Sequence, residues 1–200
     1  MGSAAADSLS ARMGVLPSTR VDHLDRIKGR KINAMAAIFP GRYTAQSDEP
    51  FVVFLIGFRV NRWLAVRSWT RVAAAMGPMI AELKRQPELG LLHVDPFLYW
   101  RGVGMVQYWR SFEQLHAYAH ARNAAHLPAW AEFNRRIGSN GAVGIWHETY
   151  TVAPGQFESI YVNMPRFGLG SAMQLVPVKG RNDSAQGRMA RSGDRESNAT

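Results

Sequence analysis

The stretch that decides the fold is GMVQYWRSFEQLHAYAH (104–120), followed by ARNAAHLPAWAEFNRRIG (121–138) and SNGAVGIWHETY (139–150). Its first residues are β-branched and aromatic, which is typical of a strand. Ser111, with Gln114 three residues later, has the pattern of a capping box and marks the start of a helix. A second helix follows, and the last segment again has the character of a strand. The stretch therefore predicts the order strand, helix, helix, strand.

The segments on either side complete the fold. In chain order, the sequence predicts strand 51–61, helix 69–85, a short strand 89–92 that Pro96 interrupts if it extends to Trp100, strand 103–110, helix 111–122, helix 127–137, strand 143–152 and strand 157–164. This order is β-α-β-β-α-β with one added strand, which is typical of an α+β fold of the ferredoxin-like type, an antiparallel sheet with helices on one face. Because the other face of such a sheet is bare, its burial against a second copy predicts a homodimer.

The strand FVVFLIGFRVN (51–61) has two different faces. The residues at even positions are all apolar, and we expect them to meet the helices. The other face becomes polar at Arg59 and Asn61, so we expect it to line a cavity. Gly57 on that face leaves room for a ligand or for a close backbone.

The ends of the chain lie outside this predicted domain. Residues 1–20 are small and polar and predict a disordered N-terminus. Residues 21–50 predict a helix, ended at Pro40-Gly41, and a loop; a basic membrane-surface anchor is the alternative for 21–38. Residues 51–178 form the dimeric α/β-barrel domain, and residues 179–200 predict a disordered basic tail.

Composition excludes several classes of protein. The absence of cysteine excludes disulfides, iron–sulfur clusters, zinc–thiolate sites and a thiol nucleophile. The net charge of +9 is spread along the chain without a basic helix or a phosphate-binding loop, so no nucleic-acid partner is predicted. No apolar run is long enough to cross a bilayer and no secretory signal is visible, so we expect a cytoplasmic protein without stable membrane insertion.

Five segments carry a resemblance to a known family. They are EPFVVFLIGFRVNRW (49–63), VQYWRSFEQLHAYA (106–119), HLPAWAEFNRRIG (126–138), VGIWHETY (143–150) and YVNMP (161–165). Together they resemble a functionally uncharacterised, monooxygenase-like family of the dimeric α/β-barrel type, over about residues 40 to 178. The resemblance implies the barrel fold and an oxidoreductase of secondary metabolism, but no established reaction.

More distant relatives of this barrel type include cofactor-free antibiotic-biosynthesis monooxygenases, haem-degrading enzymes, chlorite dismutases and aldoxime dehydratases. In the haem-degrading group, a His in the second helical region binds iron and an Asn on the first strand lies over the haem. His126 and Asn61 resemble those positions by their order along the fold. The resemblance therefore implies His126 as a ligand only if haem b is bound.

His147 is the candidate acid or base. It lies on the strand GIWHETY, on a face with Val143, Ile145 and Thr149, and an imidazole titrates near neutral pH. Arg59 and Asn61 are expected to position polar atoms of the substrate. The expected substrate-binding residues are Trp109, Trp130, Tyr108, Arg110, Tyr161 and Phe58. The alternatives are structural roles: a core His147, a helix-capping His126 and a surface or interface Arg110.

The sequence thus predicts a small-molecule enzyme acting on a hydrophobic metabolite. The absence of HExxH, GxSxG and GxGxxG motifs argues against a metal hydrolase, a triad hydrolase and a Rossmann dehydrogenase. We expect a monooxygenase-like oxidoreductase, or a related dehydratase or isomerase, with no cofactor and no metal. A haem-binding enzyme of the same fold and a non-catalytic metabolite-binding dimer remain the alternatives.

Overall fold

The computed structural model describes residues 37–121 and 141–191. The described residues leave out the expected disordered N-terminus, most of the expected N-terminal helix, the expected helix 127–137 and the end of the tail. His126 and Trp130 also lie outside the described residues. In chain order the described strands and helices are β1 (Phe39–Gln46), β2 (Phe51–Val60), α1 (Val66–Arg85), β3 (Leu91–Tyr99), β4 (Gly102–Trp109), α2 (Phe112–His120), β5 (Val143–Val152), β6 (Tyr161–Met164), α3 (Leu169–Ala172), β7 (Gln174–Pro177) and α4 (Ala185–Arg191).

The main sheet has the predicted ferredoxin-like topology. Its strands are antiparallel in the order β3-β4-β2-β5, so that β4 separates the two strands that α1 connects. β3 is continuous and is not interrupted at Pro96. It is an edge strand in this sheet, where the missing N–H of a proline costs no ladder hydrogen bond.

The helices cover one face of the main sheet. Val52 and Trp109 pack there against Leu83 of α1 and Leu115 of α2. At the other end of β2, Phe58 packs with residues of α1 in a second cluster. The capping pattern at the start of α2 is confirmed in part. The Ser111 hydroxyl accepts from the Gln114 backbone N–H at 3.2 Å, whereas the Gln114 side chain donates to the Glu88 carbonyl.

A second, three-stranded antiparallel sheet, in the order β6-β1-β7, was not predicted. Its residue Ala45 packs with Phe51 and Leu169, so it covers part of the face that we expected to be bare. β1 occupies a segment predicted as the end of a helix and a loop. Pro40-Gly41 is not a terminator but lies in an irregularity of the ladder between Phe39 and Arg42.

The tail also differs from the expectation of disorder, because residues 180–191 contain a 3₁₀ turn (Gly180–Asp183) and α4. Arg188 is buried and its Nε donates to Glu158 at 2.8 Å. The Arg188 guanidinium also donates to the backbone carbonyls of Asn182 and Asp183. Polar contacts of one arginine, rather than an apolar stripe, therefore fix this segment.

Candidate functional site

A cleft opens between the helix-covered face of the main sheet and the helices α1 and α2. Its volume is about 450 Å³, within the range of small-molecule sites. Most of its lining is apolar and includes Phe54, Ile56, Met79, Leu83, Trp109 and Leu115. Its polar lining comes from Gln107, His116, His120, His147 and Thr149, together with the Tyr118 side chain. An apolar cavity with a few convergent polar groups is the usual form of a ligand site.

His147 lies in the wall of this cleft. β5 pairs with β2 so that His147 is opposite Ile56, and both side chains therefore point to the helix side of the sheet. The imidazole lies 5.7 Å from the Phe54 ring, centroid to centroid, and the residue is exposed to solvent through the open cleft. This is the environment that a general base requires, a titratable group next to apolar surface that a ligand can reach.

Gln107 and Trp109 form the floor of the cleft. Both side chains are almost completely buried, and the Trp109 indole N–H donates to Gln107 Oε1 at 2.9 Å. The hydrogen bond satisfies the indole donor and fixes the orientation of the ring. Trp109, which was predicted to bind the substrate, therefore lies in the cleft lining with a fixed ring.

Two histidines of α2 were not among the predicted site residues. His116 and His120 are one helical turn apart, and their rings stack with centroids 4.1 Å apart. His120 Nδ1 lies 2.8 Å from the His116 carbonyl oxygen, which can only accept, so Nδ1 carries the proton and Nε2 of the neutral ring remains an acceptor. The HxxxH spacing behind the Ser111 capping box was the signal that places both imidazoles on one helix face.

The structure does not bring Arg59 and Asn61 together with His147. Arg59 is opposite Gly144 on the other face of the sheet, and its guanidinium lies over the Trp100 ring at 4.1 Å. Asn61 follows the end of β2, accepts from Arg59 and donates to the Gly141 carbonyl at 3.1 Å. Through these contacts, both residues stabilise the end of the main sheet where β2 ends.

Tyr108 and Tyr161 also lie on the face away from the cleft, in the cluster under α3. The Gly170 N–H donates to the Tyr161 hydroxyl, and the Gly168 N–H donates to Asp95, each at 2.9 Å. Burial, followed by the negative charges of Tyr161 and Asp95, raises the pKa of Tyr108 to about 12. Burial also raises the pKa of Tyr161. These groups join α3 to the main sheet.

The remaining predicted binding residues line smaller pockets. Arg110 is exposed at the start of α2 and lines a depression of about 300 Å³ with Phe51 and Phe112. Phe58 is buried in the core under α1 and touches a third pocket of about 320 Å³. Of the predicted substrate-binding residues that the structure describes, Trp109 is the one that lines the large cleft.

The cleft contains imidazoles but no preformed metal cage. Within residues 37–121 and 141–191, no group of three or more His, Cys, Asp or Glu side chains is arranged to hold a metal ion. His116, His120 and His147 are the described residues that could present a nitrogen to a haem iron in this cleft.

The sequence between residues 51 and 169, which contains the main sheet and this cleft, matches the model of the family described as Monooxygenase af470-like. The chain belongs to this family. Monooxygenase af470 of Aspergillus fumigatus is 32% identical over 187 residues, an alignment that covers 85% of this chain and 62% of that protein. The chain thus spans about three fifths of the length of this curated relative.

Two solved structures resemble parts of the chain at low sequence identity, and the first of them, with a TM-score above 0.5, has the same fold. An aldoxime dehydratase (OxdRE), crystallised with butyraldoxime, has a TM-score of 0.55 at 15% identity, over 67% of this chain and 39% of that chain. SnoaB, a cofactor-independent oxygenase from Streptomyces nogalater, has a TM-score of 0.36 at 16% identity, over 51% of this chain and 92% of that chain. In the described parts of this Monooxygenase af470-like chain, no helix is both long and apolar enough to span a membrane.

Proposed function

We propose that the chain is an enzyme that oxygenates a small hydrophobic molecule in the cleft between the main sheet and α1 and α2. The observation that carries the proposal is the position of His147, a reachable imidazole beside Phe54 in the wall of a mostly apolar cleft. Membership of the Monooxygenase af470-like family supports oxygen as the second reactant.

His147 acts as the general base in this proposal. It removes a proton from an acidic C–H or O–H group of the substrate, and the resulting anion is held against the apolar wall. His116 and His120 lie at the same cleft and offer hydrogen bonds to the polar end of the substrate. Arg59 and Asn61 stabilise the end of the sheet in this scheme and do not touch the substrate.

Oxygenation without a cofactor needs a substrate that itself reduces oxygen. Deprotonation of an activated CH₂ group gives an electron-rich carbanion that can react directly with O₂. Oxidation of that CH₂ group to a carbonyl supplies all the electrons required, with one oxygen atom retained in the product and the other released as water. This chemistry suits a polycyclic phenol or ketone whose carbanion is delocalised.

A homodimer is the proposed assembly. The second sheet covers only the part of the main sheet around Phe51, and aromatic side chains of Phe97 and Trp146 lie on the rest of that face. Phe97 is 37% exposed, which leaves apolar surface for a partner to bury. A haem-bound form is the alternative that the experiment below separates.

The test is oxygen consumption with a panel of anthrone-like and phenolic compounds, followed with an oxygen electrode. We expect His147→Gln to lower the rate about 100-fold or more, since general-base catalysis contributes roughly 10²–10⁴. Glu148→Gln is the matched control because Glu148 neighbours His147 on β5 but points to the other face. Full activity of the His147→Gln protein would contradict the proposal.

A titration with haemin completes this test. A flat absorption spectrum after haemin addition is expected for the cofactor-free enzyme. A Soret band with fixed stoichiometry that His147→Gln or His116→Gln removes would instead assign a haem site to the cleft.

A further inference from the structure

Five large apolar side chains are exposed at one end of the main sheet, where β2 ends, α1 begins and β3 turns into β4. We call them the tip patch: Trp63, Leu64, Val66, Leu98 and Trp100. Their exposed fractions are 55%, 98%, 50%, 85% and 80%. Single exposed apolar residues are ordinary, but a cluster of this size marks a contact surface.

The tip patch is contiguous. The Arg101 guanidinium lies 5.3 Å from the Trp63 ring centroid, and the Arg59 guanidinium lies 4.1 Å from the Trp100 ring centroid. A backbone hydrogen bond from the Val60 N–H to the Arg101 carbonyl, of 2.8 Å, joins the two loops. Tryptophan and arginine therefore alternate across one surface.

The backbone at Trp100 is strained, although the side chain makes little contact inside the chain beyond the Arg59 guanidinium. Tyr99 pairs with Gly102, so Trp100 and Arg101 are the central residues of a two-residue hairpin turn. Trp100 has a φ of +36°, at a position where glycine is preferred. Since the side chain is 80% exposed, its burial in the fold does not offset the strain. A bulky aromatic residue held in this way indicates contact with something outside the protein.

The charge around the tip patch has one sign. The segments 57–76 and 96–104, which build this end of the molecule, contain five arginines and no aspartate, glutamate or lysine. The N-terminus of α1 adds to this potential because Ala65 provides no side-chain cap and the first turn has no acidic residue.

We propose that the tip patch binds the surface of an anionic lipid membrane. Trp63 and Trp100 have the amphipathic rings that prefer the headgroup region, and Leu64 has the apolar side chain that enters the acyl boundary. The arginines pair with lipid phosphates and carboxylates. This is interfacial docking rather than insertion, and it goes beyond the proposed enzymatic function because it uses no residue of the cleft.

The same features argue against two other partners for the tip patch, a second copy of the chain and a nucleic acid. A symmetric contact between two copies of the tip patch would face arginine with arginine, without an acidic partner from the segments 57–76 and 96–104 of either copy. A nucleic acid would satisfy the arginines but would leave Leu64 and Leu98 without apolar contacts.

The test is co-sedimentation of the full chain with phosphatidylcholine vesicles that contain or lack phosphatidylserine. We expect binding to the anionic vesicles that weakens as salt is added. The double variant Leu64→Ser, Trp100→Gly should bind these vesicles with an affinity lower by on the order of tenfold or more, because it removes the apolar part of the contact. Phe167→Ser is the matched control, since Phe167 is 52% exposed but lies beside α3.

The single variant Trp100→Gly distinguishes a loss of vesicle binding from a loss of stability. Glycine accepts a positive φ without strain, so this variant should unfold at the same or a higher temperature while its vesicle binding falls. Three results would overturn the proposal. They are no binding to anionic vesicles at low salt, equal binding by the double variant, and a dimer-to-monomer change of the double variant in sedimentation velocity, which would assign the patch to a second copy.

Discussion

At the residue scale, strand alternation decides which side chains reach the cleft. Gln107 and Trp109 point to the helices, while Tyr108 between them points to the second sheet. The two sides then have different chemistry. The cleft side has imidazoles and a fixed indole, and the opposite side has phenols whose ionisation is suppressed.

The phenol of Tyr108 should lower the stability of the protein in strong alkali. Its pKa is about 12 in the folded chain, above the ordinary value of 10, mainly because of burial. The unfolded chain therefore releases this proton first, so stability that is complete below pH 10 is lost as the pH rises towards 12. Urea unfolding between pH 9 and 12 should show this loss.

Tyr108→Phe provides the comparison. The variant should lose less stability than the parent over the same pH interval, and a late component of the phenolate absorbance should disappear. Identical pH profiles for the two proteins would mean that Tyr108 ionises in the same way in the folded and unfolded chains.

The sequence predicted some site residues and could not predict others. The face of His147 followed from alternation along β5, and Trp109 lines the same cleft. Tyr108 could not share that wall, because neighbouring residues of a strand point to opposite faces. Arg59 and Asn61 were grouped with His147, although the structure places them away from the cleft. Periodicity separates the two faces of a strand, but which face forms the cavity depends on the packing of α1 and α2, which periodicity alone does not give.

At the element scale, glycines allow aromatic rings to lie flat on the second face of the main sheet. Gly57 and Gly104 are directly opposite each other on β2 and β4. A Cβ at Gly57 would lie 2.9 Å from the Trp146 indole and 2.8 Å from the Val103 carbonyl oxygen. The space that the sequence assigned to a ligand or a close backbone is thus filled by this indole.

Alanine at these two glycines should have unequal effects. Gly57→Ala should lower the free energy of unfolding by about 1–3 kcal/mol, since the Val103 carbonyl is part of the sheet and cannot move. Gly104→Ala should change it by less than about 1 kcal/mol, because its contacts are the tip of the half-exposed Phe97 ring, which can rotate away. Urea denaturation of both variants measures the difference, and equal losses would show that the sheet adjusts at both positions.

Some elements carried too little local signal to be predicted. β1 contains Pro40-Gly41, which usually ends an element, and its neighbours β6 and β7 follow more than 100 residues later. α4 is short and is fixed by the buried Arg188 and Glu158 pair, so it lacks the apolar stripe that predicts a helix. The strands of the main sheet were predictable because runs of β-branched and aromatic residues mark them in the sequence.

At the scale of the whole molecule, three surfaces have separate proposed roles. The cleft holds the substrate, the tip patch meets the lipid, and the part of the second face around Phe97 meets a second copy. The second sheet leaves this part of the face open, and its aromatic side chains are supported by Tyr99, whose hydroxyl accepts a hydrogen bond from Trp146. Aromatic residues with modest exposure are typical of interface centres.

We therefore expect the chain to sediment as a homodimer at micromolar concentration, and Phe97→Asp to dissociate it. An aspartate at this position stays hydrated in the monomer, because Phe97 is 37% exposed, but becomes an unpaired buried charge in the dimer. Such a charge costs roughly 3–5 kcal/mol, which corresponds to a dimer weakened by about 100-fold or more.

Leu64→Asp is the control: it places the same charge on the tip patch, where no copy is expected, and should leave the dimer intact. Dissociation by Leu64→Asp but not by Phe97→Asp would exchange the roles of the two surfaces, because an acidic residue weakens only the contact in which it becomes buried.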